Sequence, residues 1–211
     1  KGKHPSAPLP VSVGHELAGV VIETGPAVTK LGIGDRVTVE PVIACGTCDP
    51  CRRGQYHLCR NISFQYRKGQ GAFAPYFTAH EDRVFRLPVG LSYEEGALVE
   101  PLSVALHAVQ KSGVRLGNTS AVFGAGAIGL LVTMLLRQAS GGKTFIVDVH
   151  DFRLKKGLEL GADRAIHNRA ALGFQAMQTG GGVLVQRMIP SRVSGVLQTT
   201  NIAEGRQDEM V

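Results

Sequence analysis

The feature that most restricts the fold is the run Ala121-Val-Phe-Gly124-Ala-Gly126-Ala-Ile-Gly129. A Gly-x-Gly-x-x-Gly spacing alone is weak. Here a β-rich stretch, Ser120 to Phe123, precedes it and an apolar helical stretch, Ala127 to Gln138, follows it, which is the context the motif requires. Each glycine then has a task. Gly124 permits the tight turn out of the strand, Gly126 lets a phosphate approach the backbone, and Gly129 lets the helix lie close on the strand. The amino terminus of the helix offers free N–H donors and a favourable dipole to an anion. A second strand, Thr144 to Val149, carries Asp148 nineteen residues beyond Gly129, where a carboxylate can accept hydrogen bonds from a ribose. The run reads as a dinucleotide site. NAD is favoured, because Asp148 would repel a 2'-phosphate, while His150 and Arg153 leave NADP open.

The text after this motif continues in alternation. A helix from Phe152 to Leu160 stops at Gly161, Ala165 to His167 reads as a third strand, and Gly180-Gly181-Gly182 precede a fourth at Val183 to Gln186. Alternating strands and helices imply a parallel sheet with helices on its faces. Beyond Arg187 no period survives, and residues 191–211 read as an irregular polar tail. Upstream the pattern differs. From Gly14 to about Leu87 short β-like runs dominate, among them Leu17 to Glu23 and Arg36 to Glu40. Ser92 with Glu95 makes a capping-box signature, and Pro101 is expected to interrupt before a second helix, Leu102 to Lys111.

All four cysteines of the chain, Cys45, Cys48, Cys51 and Cys59, fall within fifteen consecutive positions. Such crowding suits a metal better than a disulfide framework and favours a reducing, cytoplasmic setting. Gly46, Asp49, Pro50 and Gly54 permit the turns that four thiolates need to converge on a tetrahedral zinc. The first three cysteines share a spacing with iron–sulfur ferredoxins, but the fourth follows after seven residues instead of three and no proline follows it. Four thiolates leave zinc no open position, so the expected site is structural.

The formal charge of +6 would suit a nucleic-acid binder, yet only Arg52, Arg53 and Arg60 crowd together, so a solvated basic surface and no nucleic-acid partner are expected. The longest apolar stretch, Ala121 to Leu136, is broken by three glycines and Thr133 and falls short of the ~18 residues of a membrane span, so no membrane association is expected. At 211 residues the chain suits one large or two modest domains. It opens on Lys1 rather than methionine, and the natural amino terminus is expected further upstream.

His15-Glu16 after Gly14, and Glu100 before Pro101, are unremarkable singly. In company they are not. Gly14-His15-Glu16-Leu-Ala-Gly19, Gly34-Asp35-Arg36-Val37, the cysteine lobe, and Val99-Glu100-Pro101-Leu102-Ser103-Val104 together resemble the zinc-containing medium-chain alcohol dehydrogenases. The branch that fits best is the polyol one, typified by sorbitol dehydrogenase, and the resemblance runs from Val11 to about Asp163. It implies a GroES-like β domain, here partial, followed by a Rossmann doubly wound parallel sheet, here shortened. The expected division is residues 1–112 for the first, with the zinc lobe at 42–61, then 113–190, then the tail.

The resemblance further implies a catalytic zinc between the domains, held by a cysteine together with His15 and Glu16, with Glu100 binding it or its water. That zinc would act as a Lewis acid on a polyol hydroxyl while NAD accepts the hydride. Gly124, Gly126, Ile128, Gly129, Asp148 and Arg153 would contact the cofactor. The family is usually dimeric or tetrameric, so a homo-oligomer is expected. A 2,3-butanediol or other secondary-alcohol dehydrogenase shares nearly every one of these motifs. The family's ligand cysteine lies about 25 residues before the Gly-His-Glu motif, a position upstream of Lys1, and about 30 residues of another βα unit are missing before Gly180. The chain by itself is therefore expected to be an inactive or weakly active zinc- and nucleotide-binding fragment.

Overall fold

The computed structural model describes residues 12–65 and 71–167, and the backbone of 184–187. It divides into two compact units, residues 1–101 and 102–211.

In the first unit a three-stranded antiparallel sheet has the order β1 (Ala18–Val20), β2 (Arg36–Val39), β5 (Val84–Arg86). The middle strand reads Arg-Val-Thr-Val, and its Val37, Thr38 and Val39 are all buried. β-Branched side chains suit this place because they pack well on a pleated surface covered on both sides. The Thr38 hydroxyl is satisfied by donating to the Leu17 carbonyl at 2.9 Å. A second, two-stranded pair, β3 (Val42–Ile43) and β4 (Ser63–Phe64), runs antiparallel and closes the base of the cysteine excursion. Within that excursion lies the single-turn helix α1 (Asp49–Arg52), with Pro50 in its first turn.

Helices α2 (Tyr93–Ala97) and α3 (Val99–Lys111) follow. The capping box is present in full: the Ser92 hydroxyl accepts from the Glu95 N–H at 3.1 Å, and the Glu95 carboxylate accepts from the Ser92 N–H at 2.8 Å. The second helix begins three residues earlier than the sequence reading places it, and Pro101 lies inside its first turn. A proline is tolerated there because the N–H it lacks would have had no partner within the helix.

The second unit holds a four-stranded sheet of order β8-β7-β6-β9, with β6 Ser120–Phe123, β7 Thr144–Asp148, β8 Arg164–His167 and β9 Leu184–Arg187. Strands β6, β7 and β8 run parallel, linked by α4 (Ala127–Ser140) and α5 (Asp151–Glu159). Val122 and Ile146 of the strands and Val132 and Leu136 of α4 are fully buried, with Leu154 of α5 and Ala105 and Val109 of α3 around them. Each such large aliphatic side chain contributes roughly 2 kcal/mol by leaving water.

The fourth strand departs from expectation. It pairs with β6 antiparallel, Phe123 opposite Leu184 and Ser120 opposite Arg187, so the sheet is mixed. A run of apolar residues marks a strand but carries no information on its direction. Among the described residues no helix is long and apolar enough to cross a membrane. The tail 191–211 lies outside the described residues.

Candidate metal centres and dinucleotide site

The sulfurs of Cys45, Cys48, Cys51 and Cys59 all lie within 4.8 Å of one another, and none is in a disulfide. The sulfur separations are 3.4 Å for Cys48–Cys51, 3.9 Å for Cys48–Cys59 and 4.0 Å for Cys45–Cys51. Four sulfurs bound tetrahedrally at the ~2.3 Å of a zinc–thiolate bond stand about 3.8 Å apart, so the donor set fits zinc in both size and chemistry. Backbone N–H groups of Cys45 and Asn61 point at the Cys59 sulfur, each at 3.3 Å. Such donors stabilise thiolate charge and fix ligand orientation.

The thiols are held unequally. Hydrogen bonds from the Thr47 hydroxyl and backbone draw Cys45 down to about 5, while desolvation and hydrogen bonds with Cys48 and Cys59 push Cys51 up to about 12. At neutral pH Cys51 therefore keeps its proton until a metal displaces it. Zinc uptake by this lobe should release at least one proton, and the apparent affinity should fall at least tenfold for each unit that pH is lowered through neutrality. Competition against a chelator of known pH dependence at pH 6, 7 and 8 measures this, and a flat profile would contradict the assignment of a protonated Cys51.

A second cluster also lies in the first unit. Ligand atoms of His15, Glu16 and Glu100 fall within 4.8 Å of one another, although Glu100 belongs to a helix far along the chain. The strand entry that carries His15 is fixed by backbone bonds: Ala72 N–H donates to the Gly14 carbonyl at 2.9 Å and Phe73 N–H to the Val13 carbonyl at 3.0 Å. Partial burial raises the Glu100 carboxyl above the usual range; His15 opposes this, and Glu16 and Glu40 add to it. One imidazole and two carboxylates form a nitrogen-and-oxygen donor set suited to zinc or another first-row divalent ion.

In the second unit the glycine turn takes the conformation its spacing implies. Gly124 has φ +100°, in the region that favours glycine, and Gly126 caps α4. A Cβ at Gly129 would stand 1.8 Å from the Gly124 carbonyl oxygen, so only glycine fits. Asp148, 3% exposed, stands at the mouth of this turn. Its Oδ2 accepts from the Ala125 N–H at 2.7 Å, and its Oδ1 accepts from Val149 and His150 N–H at 2.8 and 2.9 Å. Arg153 Nη1 lies 3.9 Å from Asp148 Oδ2, and its guanidinium sits over the exposed Phe152 ring. Ile128 packs partly buried against the core from the first turn of α4.

The sequence reading does not anticipate the Ala125 N–H bond, the Thr47–Cys45 contact, or the set Glu40, Tyr56 and Arg83 beside the lobe. Glu40 and Tyr56 lack a spacing signal, whereas Thr47 stands inside the cysteine run.

Residues 1–89 match the alcohol dehydrogenase GroES-like domain family. Residues 158–211, which include the tail that lacks any period, match the AMP/ATP-binding domain of pyruvate phosphate dikinase. The sorbitol dehydrogenase of Bacillus subtilis is 36% identical over 171 residues, covering 81% of this chain and 48% of that protein. The chain thus spans about half the length of the curated relatives it matches. Among solved structures, a Sinorhizobium meliloti protein with bound NADP superposes with a TM-score of 0.75 at 35% identity, covering 78% of this chain and 48% of the other. The 2R,3R-butanediol dehydrogenase of Bacillus subtilis superposes with a TM-score of 0.70 at 40% identity, covering 80% and 48%. Motifs, folds of both units and these likenesses agree: the chain belongs to the zinc-containing medium-chain alcohol dehydrogenase family.

Proposed function

We propose that this chain forms part of an NAD-dependent polyol dehydrogenase that moves a hydride between a secondary alcohol of the sorbitol or xylitol type and the nicotinamide. The observation that carries the reading is the convergence of His15, Glu16 and Glu100 to within 4.8 Å in the unit that also holds the four-cysteine lobe. The four cysteines would hold a structural zinc. His15, Glu16 and Glu100 would hold a second, whose Lewis acidity makes a coordinated hydroxyl a better hydride source.

The chain's own residues do the rest. The two carboxylates offset the charge of the ion. The N–H groups at the start of α4 hold a pyrophosphate, with Gly124, Gly126 and Gly129 keeping the turn open for it, and Ile128 supplies an apolar side chain beside it. Asp148 would accept from the adenosine ribose, and Arg153, 3.9 Å from Asp148, would contact the same sugar. In domain terms, residues 1–112 correspond to the GroES-like part and 113–190 to the nucleotide-binding part. Reduced thiols suit a cytoplasmic compartment, and the family habit supports a homo-oligomer.

Metal analysis, NADH titration and turnover test the reading together. Two zinc ions per chain are expected, one of them lost in His15→Ala, with NADH bound and whatever weak turnover there is greater on sorbitol or xylitol than on 2,3-butanediol. One zinc per chain and NADH binding without turnover would instead favour an inactive binding fragment. A chain that holds neither the second metal nor NADH would overturn the assignment.

A further inference from the structure

Three side chains outside both metal clusters form a closed set beside the lobe. The Tyr56 hydroxyl donates to Glu40 Oε2 at 3.2 Å, and Arg83 Nη1 donates to the same oxygen at 2.8 Å. The Arg83 guanidinium lies 4.2 Å above the centre of the Tyr56 ring. Glu40 and Arg83 are only 24% and 23% exposed, which strengthens both the ion pair and the cation–π contact relative to open solvent.

The two ends of this set belong to different pieces of structure. Glu40 and Arg83 directly flank the facing residues Val39 and Val84 of β2 and β5, and the Glu40 N–H donates to the Arg83 carbonyl at 2.8 Å, so their backbones are fixed to the sheet. Tyr56 belongs to the lobe, in a 3-10 turn, Tyr56–Leu58, between Cys51 and Cys59. The Cys59 N–H donates to the Tyr56 carbonyl at 3.0 Å, so the tyrosine backbone sets the position of the fourth sulfur.

Among the described residues the lobe has no buried core of its own. Of residues 45–59 only Cys59 is buried, α1 is one turn long, and the strands at its base are two residues each. Without a core, its shape depends on the metal and on whatever ties it to the sheet. We propose that Tyr56 is a positioning residue for the four-cysteine metal: through Glu40 and Arg83 it pins the Cys59 side of the lobe to the sheet and thereby slows release of the ion. The Cys45, Cys48 and Cys51 side is then the side that opens. The inference rests on the reading that the lobe binds zinc.

The test uses the full chain with His15→Ala and Glu100→Ala, so that only lobe metal remains. A mercurial thiol reagent should release one zinc per chain; if it releases none, the zinc reading fails and the clamp goes with it. Given that zinc, Tyr56→Phe keeps the ring under Arg83 and removes only the hydroxyl. It should speed zinc transfer to a chromogenic chelator about tenfold, as outer-shell losses typically do. Glu40→Gln should do the same, and the double variant should be no faster than either single one, because all three break one connected set. Global unfolding followed by far-ultraviolet circular dichroism should be slower than zinc release in every variant. Release rates within twofold of the parent, additive effects in the double variant, or release that keeps pace with global unfolding would each overturn the clamp.

Discussion

Gly129→Ala is expected to abolish dinucleotide binding and to unfold the second unit at a temperature more than about 10 °C lower. The new methyl carbon would meet the Gly124 carbonyl oxygen at 1.8 Å and the Gly124 carbonyl carbon at 2.9 Å. Those are backbone atoms of a turn that is also tied to β7: the Gly124 N–H donates to the Val147 carbonyl at 2.8 Å. Neither the turn nor α4 can yield without disturbing the strand beneath, where Val122 is fully buried. Overpacking costs about 1–3 kcal/mol where side chains can adjust, and a clash with fixed backbone belongs at or above the top of that range. In a unit of this size about 3 kcal/mol corresponds to a shift of more than 10 °C.

Gly126→Ala makes the contrast that interprets this result. No heavy atom lies within 4 Å of a Cβ built there, and φ is −75°, which any residue adopts. Its melting temperature should stay within about 2 °C of the parent, while NADH affinity falls about tenfold or more because the methyl group occupies the approach of the pyrophosphate. Thermal melts and NADH titration of both variants decide the matter. A stable, cofactor-binding Gly129→Ala would contradict the described turn, and an unaffected Gly126→Ala would remove the phosphate from this site.

The glycine motif was legible in the sequence because everything it needs is local. Strand, turn and helix are consecutive, and the structure places β6 at the Ser120–Phe123 predicted for it. The cysteine lobe was legible for the same reason, since fifteen adjacent positions fix a donor set almost regardless of what surrounds them. His15, Glu16 and Glu100 were different. Their convergence depends on a loop and a helix distant in sequence, so no spacing rule finds it and only family resemblance does. The clamp of Tyr56, Glu40 and Arg83 had neither signal, because it is made by three elements whose register becomes visible only in the folded sheet. Pro101 misled for a local reason: a proline reads as a helix breaker, and only the position of the first turn shows that it is a helix starter.

The direction of β9 was misread because apolar patterning carries no polarity. A doubly wound sheet would add its fourth strand parallel, after another crossover helix. Here Leu184–Arg187 runs antiparallel, and it lies inside the stretch that matches a nucleotide-binding domain of another family. Strand polarity and family likeness, two independent observations, thus depart from the dehydrogenase pattern in the same part of the chain. Among the described residues, every member of the second unit's buried cluster falls between Ala105 and Ala162, ahead of β9.

Asp148→Ala should have the second large effect, and it separates the carboxylate's structural bonds from its proposed contact with the cofactor. Removing the side chain leaves the N–H groups of Ala125, Val149 and His150 without their acceptor at a position 3% exposed. Stranding buried donors costs about 1–3 kcal/mol each, reduced wherever water enters the space vacated, so a net loss of about 2–4 kcal/mol is expected. NADH affinity should fall about 100-fold, from loss of charge-assisted bonds to the ribose and from release of the Ala125 turn. The ratio of NADPH to NADH affinity should rise, because the charge that repels a 2'-phosphate is gone while Arg153 remains. Asp148→Asn tells the two roles apart. Its single carbonyl can still accept from Val149 and His150, but its amide then faces the Ala125 N–H donor to donor. Stability should fall by less than in the alanine variant, because one buried donor is stranded and not three, while NADH binding is lost to nearly the same extent. If Asp148→Asn instead binds NADH like the parent, neither the carboxylate charge nor its bond to Ala125 serves the cofactor, and cofactor choice must be made elsewhere.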